Sequence, residues 1–278
     1  MTGSTVMRLL RCQQALCGQI CDKQTLDFGI AFTNPRYAQL PEANQFREVL
    51  VEDTERFSEA FEQEEQWFHD QGLFCHRWVP SFGQSVTALE AFLAPHGFRG
   101  RRVSAWVLTK WVALQTRRAV RIVHARALRD VFRSTFLDVD APDTPGLRQS
   151  RADVGAERLD DPNYDSFVAL MDGKPVGRGT LFQVGDIALI TDLAVVGRHS
   201  GHHVEQVLLA HLLALAKRLA VPHICAMLKS DERTWSTMFE SAGLVRDGEF
   251  VEFVRDAKPP ISTATVRERP PDAEPSVF

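Results

Sequence analysis

Between Ser166 and Leu219 the chain reads as three strands followed by a helix, in an order that leaves few folds open. "SFVALM", Ser166 to Met171, leads through the turn "DGKP" into "VGRGTLFQV", and a second turn at Gly185-Asp186 opens "IALITDLAVV". Apolar stretches joined by Asp-Gly or Gly-Asp form antiparallel hairpins, because the tight turns whose twist suits a sheet need residues that tolerate φ > 0. The third stretch enters a short polar loop and then an apolar helix, about Val204 to Leu219, with Val204, Leu208, Leu212, Leu215 and Leu219 on one face. So broad an apolar face must lie against a sheet. The run therefore predicts an α/β protein of the α+β, mixed-sheet kind.

The loop, "GRHSGHH", holds the first chemical signal. A helix start leaves several backbone N–H groups unpaired and aimed forward, which makes the turn a natural anion cradle. Three histidines within five residues, His199, His202 and His203, also raise zinc. No cysteine ligand follows them in close sequence, so no metal site is expected.

The rest of the chain supplies more strands and helices. Residues 6–21 read as a helix and Thr25 to Thr33 as one strand; "EVLVED" reads as another strand. Thr54 to Gly72 is an amphipathic helix with a Thr cap, apolar Phe57, Phe61 and Phe68, and a closing Gly. The strand "LFCHRWV", a helix stopped at Pro95 and Gly97, and the strand "RRVSAWVLTKWV" follow. The basic run "RGRR", Arg99 to Arg102, reads as a solvated turn. Past a linker near Ala113 to Arg118 come a strand, a turn and a helix starting about Leu128. The Pro-, Gly- and Asp-rich stretch that follows holds at most one helix. After the apolar helix come the strand "HICAML", the helix "DERTWSTMFESAG" and the strand "LVRDGEFVEFVR". The tail from 256 to 278 has many prolines and little apolar content, and is expected to be disordered.

Composition excludes several classes. With 44% hydrophobic and 24% charged residues the chain is globular. A formal charge of −4 gives no global basic field, so neither nucleic acid nor an anionic membrane is expected as partner. No stretch approaches the ~20 apolar residues of a membrane span, nor does the start resemble a signal peptide, which predicts a cytoplasmic protein. Five cysteines without a Cys-x-x-Cys pair read as reduced, mostly buried thiols.

The two halves echo each other. In both, a helix leads to a short strand, a helix ending in His-Gly or Ala-Gly, and a long strand, which reads as an internal repeat. The expected division is a degenerate N-terminal lobe over 1–112, a second domain over 119–255, and the tail.

From about Ala119 to Arg255 the chain resembles the GNAT superfamily of acetyl-CoA-dependent N-acetyltransferases. "VRIVHARALRD" looks like its first strand and turn, "FVALMDGKPVGRGTLF" like its central hairpin, and "DLAVVGRHSGHHVEQVLL" like its fourth strand, pyrophosphate loop and third helix. "MFESAGL" looks like the segment where many members carry a Leu-Tyr pair. The fold implied is GNAT-like, and the N-terminal lobe extends the expectation to a tandem, two-lobed arrangement.

The family's loop pattern falls on Ser200, Gly201, His202, His203, Val204 and Glu205. Ser200 replaces a basic or amide residue, His203 the first glycine and Glu205 the second. A glycine there lets the backbone approach phosphate and permits φ > 0. Glu205 competes with a bound phosphate for the helix dipole, and one like charge ~5 Å away at an effective dielectric of 20 costs about 3 kcal/mol. A protonated His202 or His203 would return positive charge. The resemblance adds Ala194 and Val195 on the strand, and Phe239 in place of the tyrosine that often protonates the leaving thiolate, to the coenzyme-binding set. Asp192 interrupts its strand just before the expected thioester position and is the candidate general base; a structural carboxylate is its plain alternative. His211, on the apolar helix, reads as a satisfied core histidine.

The resemblance implies an acetyl-CoA-dependent N-acyltransferase acting on a primary amine of a small molecule or peptide, with acetyl-CoA as co-substrate and a homodimer permitted. The alternative is a catalytically silent GNAT-like binding or assembly module.

Overall fold

The computed structural model describes residues 2–114, 120–138, 143–197, 203–229 and 233–255. The expected tail, most of the linker near 113–118, and His199, Ser200, Gly201 and His202 lie outside them. The N-terminal half runs α1 (Thr2–Gly18), β1 (Asp22–Leu26), β2 (Gly29–Thr33), β3 (Gln45–Val49), α2 (Phe57–Asp70), β4 (Arg77–Pro80), α3 (Val86–Leu93) and β5 (Arg99–Leu108). The C-terminal half runs β6 (Arg121–His124), α4 (Arg129–Leu137), α5 (Pro145–Arg158), β7 (Tyr164–Met171), β8 (Lys174–Val184), β9 (Ile187–Val195), α6 (Val204–Arg218), β10 (His223–Lys229), α7 (Arg233–Ser241) and β11 (Leu244–Val254). Among the described residues no helix is long and apolar enough to cross a membrane.

Three local expectations change. The single strand over 25–33 is a hairpin: the chain reverses at Asp27-Phe28, pairing Leu26 with Gly29 and Asp22 with Thr33. That reversal lacks the Asn-Gly or Asp-Gly signature, so the apolar pattern reads straight through it. "EVLVED" forms its strand earlier, over Gln45–Val49, because Val51 and the residues after it enter the turn before α2. "RGRR" is no solvated turn; it starts β5, where Arg101 pairs with Glu252 and Arg102 with Glu249 on the neighbouring strand.

All eleven strands form one mixed sheet, in the order β1-β2-β3-β4-β11-β5-β10-β9-β8-β7-β6. Two pairs are parallel, β3 with β4 and β9 with β10, and each is joined through its own helix. The long closing strands are exchanged between the halves. β5 pairs with β10, β11 pairs with β4, and the two run antiparallel to each other from Leu244↔Leu108 to Val254↔Arg99.

Neighbouring residues on the strands enter different cores, as strand alternation requires. Ala105, Val168, Phe182 and Leu189 pack with α1, α4 and α5, whereas Trp106, Phe167, Leu181 and Ala188 pack with α6 and α7. A third core, around Phe46, Phe68, Trp78 and Leu89, holds α2 and α3 on the N-terminal half. α1 therefore covers the sheet of the C-terminal half through Val6, Leu9 and Cys12.

α6 shows which force sets its position. Seven of its side chains are buried, among them Val204, Leu208 and Leu212. At roughly 1.5–3 kcal/mol for each large one, burial far exceeds the ~1 kcal/mol that a side-chain N-cap contributes. His203, the residue at that cap, makes no capping bond. Packing on β8 and β9, not capping, therefore fixes where the helix begins.

Candidate functional site

The sheet opens between β9 and β10. β9 and β10 pair in parallel from Ile187↔His223 to Ile190↔Ala226, after which β9 continues to Val195 and β10 to Lys229 without pairing to each other. Each strand follows its other neighbour. β10 stays in register with β5 through Lys229↔Val103, while β9 stays with β8 through Val195↔Gly177. The divergence begins at Asp192, whose φ of +51° makes a bulge in β9. Gly177 on β8 accommodates it, since a Cβ there would lie 2.8 Å from the Ala194 carbonyl oxygen. Past the bulge, the facing strand edges leave a gap in which an extended ligand could pair with backbone groups.

Asp192 is held from below. Its Oδ2 accepts a hydrogen bond from the hydroxyl of Tyr164, which is wholly buried. Burial first, and the Asp192 charge second, push the Tyr164 phenol upward, so it remains a donor. Arg178 is also buried; burial pulls its guanidinium down to about 10, against the opposing pull of Asp192. It donates to the Thr135 carbonyl and lies 3.6 Å from the centre of the Phe136 ring.

A cavity of about 330 Å³ adjoins Asp192. Thr191, Asp192, Met227 and Lys229 border it from the diverging strands, and Arg47, Arg77, Arg101 and Glu252 from the strands of the exchange seam. Gln13 and Cys17 on α1 and Arg158 on α5 also face it. Part of its wall is an ion-pair chain: Arg77 reaches Glu42 and Glu252 at 3.4 Å each, and Arg101 reaches Glu252 at 2.5 Å. Burial opposes the charge on Glu42, but Arg151 and Arg77 hold its carboxyl down at about 2.

Residues 125–237 match the family model described as the acetyltransferase (GNAT) family. The match lies within the C-terminal half of the chain, which is similar to that family. None of the curated proteins matches the chain. Among solved structures, a GCN5-related N-acetyltransferase from Kribbella flavida is 11% identical with a TM-score of 0.64, over 90% of this chain and 95% of its own. Another GCN5-related N-acetyltransferase, from Sphaerobacter thermophilus, is 15% identical with a TM-score of 0.58, over 86% of this chain and 84% of its own. A tandem GNAT protein from the clavulanic acid biosynthesis pathway is 13% identical with a TM-score of 0.53, over 84% of this chain and 80% of its own. At such identities the likeness is one of fold, and the chain has a GNAT-like fold.

Within the segment that matches the family, Asp192, Ala194 and Val195 lie on β9 beyond its last pair with β10, and Val204 and Glu205 form the first turn of α6. His203 is exposed and left-handed, with φ +61° and ψ +19°. The backbone there keeps the conformation for which glycine suits the position, at a cost of about 1–2 kcal/mol for a residue with a Cβ. Phe239 stands in the core at 1% exposure, its ring edge-on to Trp106 at 5.8 Å. His211 is not a satisfied histidine: it packs edge-on to Phe167, and its buried Nε2 has no hydrogen-bond partner among the described residues.

Sequence reasoning missed Tyr164 as the partner of Asp192, and Arg47, Arg77 and Glu252 as neighbours of the site. One signal was present for a related feature. β3 carries an acidic residue at a left-handed bulge, Glu48 at φ +53°, as β9 does at Asp192. Gly29 on the adjoining β2 accommodates it, 2.8 Å from the Arg47 carbonyl oxygen as a Cβ would lie. Both halves also make the same bond beyond the bulge, Leu50 N–H to the Phe28 carbonyl and Val196 N–H to the Val176 carbonyl.

Proposed function

We propose that the chain is an acetyl-CoA-dependent N-acyltransferase, with the reaction carried by its GNAT half. The observation that carries this reading is the opening between β9 and β10, with Asp192 at its apex and a cavity of about 330 Å³ beside it. The gap suits an extended pantetheine arm, and a start of α6 without a side-chain cap suits phosphate. Against that, Glu205 in the same turn opposes negative charge. A repulsion of about 3 kcal/mol before screening weakens binding but does not outweigh several charge-assisted hydrogen bonds of about 1.5–3 kcal/mol each.

In this reading Ala194 and Val195 hold the arm through their backbone. Ser200, Gly201, His202, His203, Val204 and Glu205 surround the pyrophosphate, and Phe239 supports the channel wall from the core. Acetyl-CoA, when bound, would supply the acetyl group as an activated thioester, its C–S bond breaking as the C–N bond to the amine forms; the coenzyme A thiolate would leave and take its proton from water, since Phe239 has none to give. Asp192 accepts the proton of the acceptor amine, and Tyr164 holds its carboxylate in place as a fixed donor. The acceptor is a primary amine on a small molecule or peptide.

We further read the whole as a tandem of two GNAT-like units, 1–112 and 119–255, with α1 reaching across. The paired bulges at Glu48 and Asp192, the paired glycines, and the likeness to a tandem GNAT protein support this division. Calorimetry and thermal unfolding with acetyl-CoA test the central reading. Heat of binding and a raised melting temperature are expected; the absence of both at saturating acetyl-CoA would favour the silent binding module, to which His203, Glu205 and Phe239 already lean.

A further inference from the structure

Five cationic side chains, Arg47, Arg77, Arg101, Arg158 and Lys229, border the cavity beside Asp192, against three carboxylates, Glu42, Asp192 and Glu252. Their partners differ. Arg77 and Arg101 share Glu252, and Arg77 also reaches Glu42. Among the described residues Arg47 has no such contact: Nη1 donates to Gln45 Oε1 at 2.8 Å and Nη2 to Gln13 Oε1 at 2.7 Å. Both partners are neutral amides, yet Arg47 is only 2% exposed. Arg158 donates to the Leu16 carbonyl at 2.9 Å, and its buried Nε has no hydrogen-bond partner among the described residues.

A buried guanidinium without a carboxylate is expensive, and a fold retains one where something else supplies the negative charge. Gln13 and Gln45 hold the planar fork of Arg47 in a fixed orientation, which suits two-point recognition of a carboxylate. A cavity of about 330 Å³ sits at the small end of ligand sites, too small for a folded partner. Asp192, which borders the same cavity, is the complement of an amine.

We propose that the acceptor is a small amine that also carries a carboxylate, its acid group seated between Arg47 and Arg158 and its amine at Asp192. This rests on the acetyltransfer reading above and narrows it to amino acids and compact derivatives of them. The site draws on both halves, since Arg47 comes from β3, Arg158 from α5 and Asp192 from β9.

The test uses the full chain and a panel of free amino acids, each paired with its carboxamide. Binding is read by saturation-transfer NMR without acetyl-CoA, and turnover by release of free thiol with it. The acids are expected to bind roughly tenfold or more tighter than the amides, as a charge-assisted pair requires. Arg47→Gln is expected to erase that preference while acetyl-CoA still binds, and Arg158→Gln, at a less buried position, to reduce it. Equal binding of acid and amide, or a preference untouched by both variants, overturns the proposal. So does a stronger preference for phosphate-bearing amines such as O-phosphoethanolamine. If the acid preference is present and depends on Arg47 while acetyl-CoA fails to bind, the anion site stands and the acetyltransfer reading falls.

Discussion

The β3–α2–β4 and β9–α6–β10 units have the same plan and opposite states. In the first, pairing runs past the bulge to Val49↔Pro80, the ends of both strands, so no gap forms. The backbone beyond it is also occupied: Val51 N–H donates to Gln84 Oε1, and Ser81 N–H to the Val49 carbonyl. The turn before α2 is closed by its own acid, with Asp53 Oδ1 accepting from Glu55 N–H. In the second unit, pairing stops five residues short of the bulged strand's last pair with β8, at Ile190 before Val195, and α6 starts without a side-chain cap. A bulge with an acidic residue is therefore not sufficient for a site. What separates the units is the company of the second parallel strand: β10 is drawn away by β5 over five pairs, whereas β4 is only four residues long.

The largest effect is expected from mirrored substitutions at the two bulges. Asp192→Asn should lower turnover by roughly 10²–10⁴-fold, the usual weight of a general base, with acetyl-CoA affinity nearly unchanged. Glu48→Gln, at an exposed position, should leave turnover as it is. Equal losses in steady-state thiol-release assays would erase the distinction.

Next come the helices. Glu64 and His211 are each the eighth residue of their helix, α2 and α6, and each carries buried polar atoms without a hydrogen-bond partner among the described residues. Burial raises the Glu64 carboxyl from 4.5 to about 8 and lowers the His211 imidazole. Their signs are opposite. The stability tied to Glu64 is full below about 4.5 and is lost as pH rises through about 8; that tied to His211 is full above its unfolded value and is lost as pH falls. Glu64→Gln should raise stability at pH 9 by several kcal/mol and change little at pH 4, while His211→Asn should flatten the acid limb. Denaturant titrations across pH would read both, and a single common pH profile would refute the contrast.

Ligand linkage is smaller. Acetyl-CoA at a hundred times its Kd should add about 2.7 kcal/mol of stability. Gly177→Ala places a Cβ 2.8 Å from the Ala194 carbonyl oxygen and should weaken that linkage; Gly29→Ala, with the same clearance from the Arg47 carbonyl oxygen, should not. Both should destabilise the chain itself by about 1–3 kcal/mol. Smallest is Glu205→Gln, expected to tighten acetyl-CoA binding by about 1 kcal/mol after screening. An unchanged or weaker affinity in calorimetry would mean that Glu205 does not face the pyrophosphate.

Where local pattern determines structure, the sequence was readable. The turns at Asp172-Gly173 and Gly185-Asp186 appear where short-range chemistry puts them, and so does the apolar face of α6 through Leu212, although Leu219, expected on that face, caps the helix and is exposed. Asp192 was visible as a polar interruption of an apolar strand. What local pattern does not carry is choice of partner. β5 and β11 alternate like any half-buried strands, and nothing in either names the other half's sheet as its neighbour. Tyr164 lies 28 residues from Asp192 and Arg101 lies 151 from Glu252. Arg101 therefore read as part of a solvated turn, because the strand that carries its partner meets it only in three dimensions.

The exchange of β5 and β11 also imposes a schedule on synthesis. β4 takes its partner from Leu244–Val254, so the N-terminal half waits, with an open sheet edge, while everything after Leu108 is made. At roughly 5–20 residues per second that interval is on the order of ten seconds, long compared with the time most small domains need to fold. Throughout it the edge of β4 is a template for any strand that drifts near, including the β11 of another nascent chain. The same topology that joins the halves therefore makes correct closure depend on β11 reaching the β4 of its own chain first.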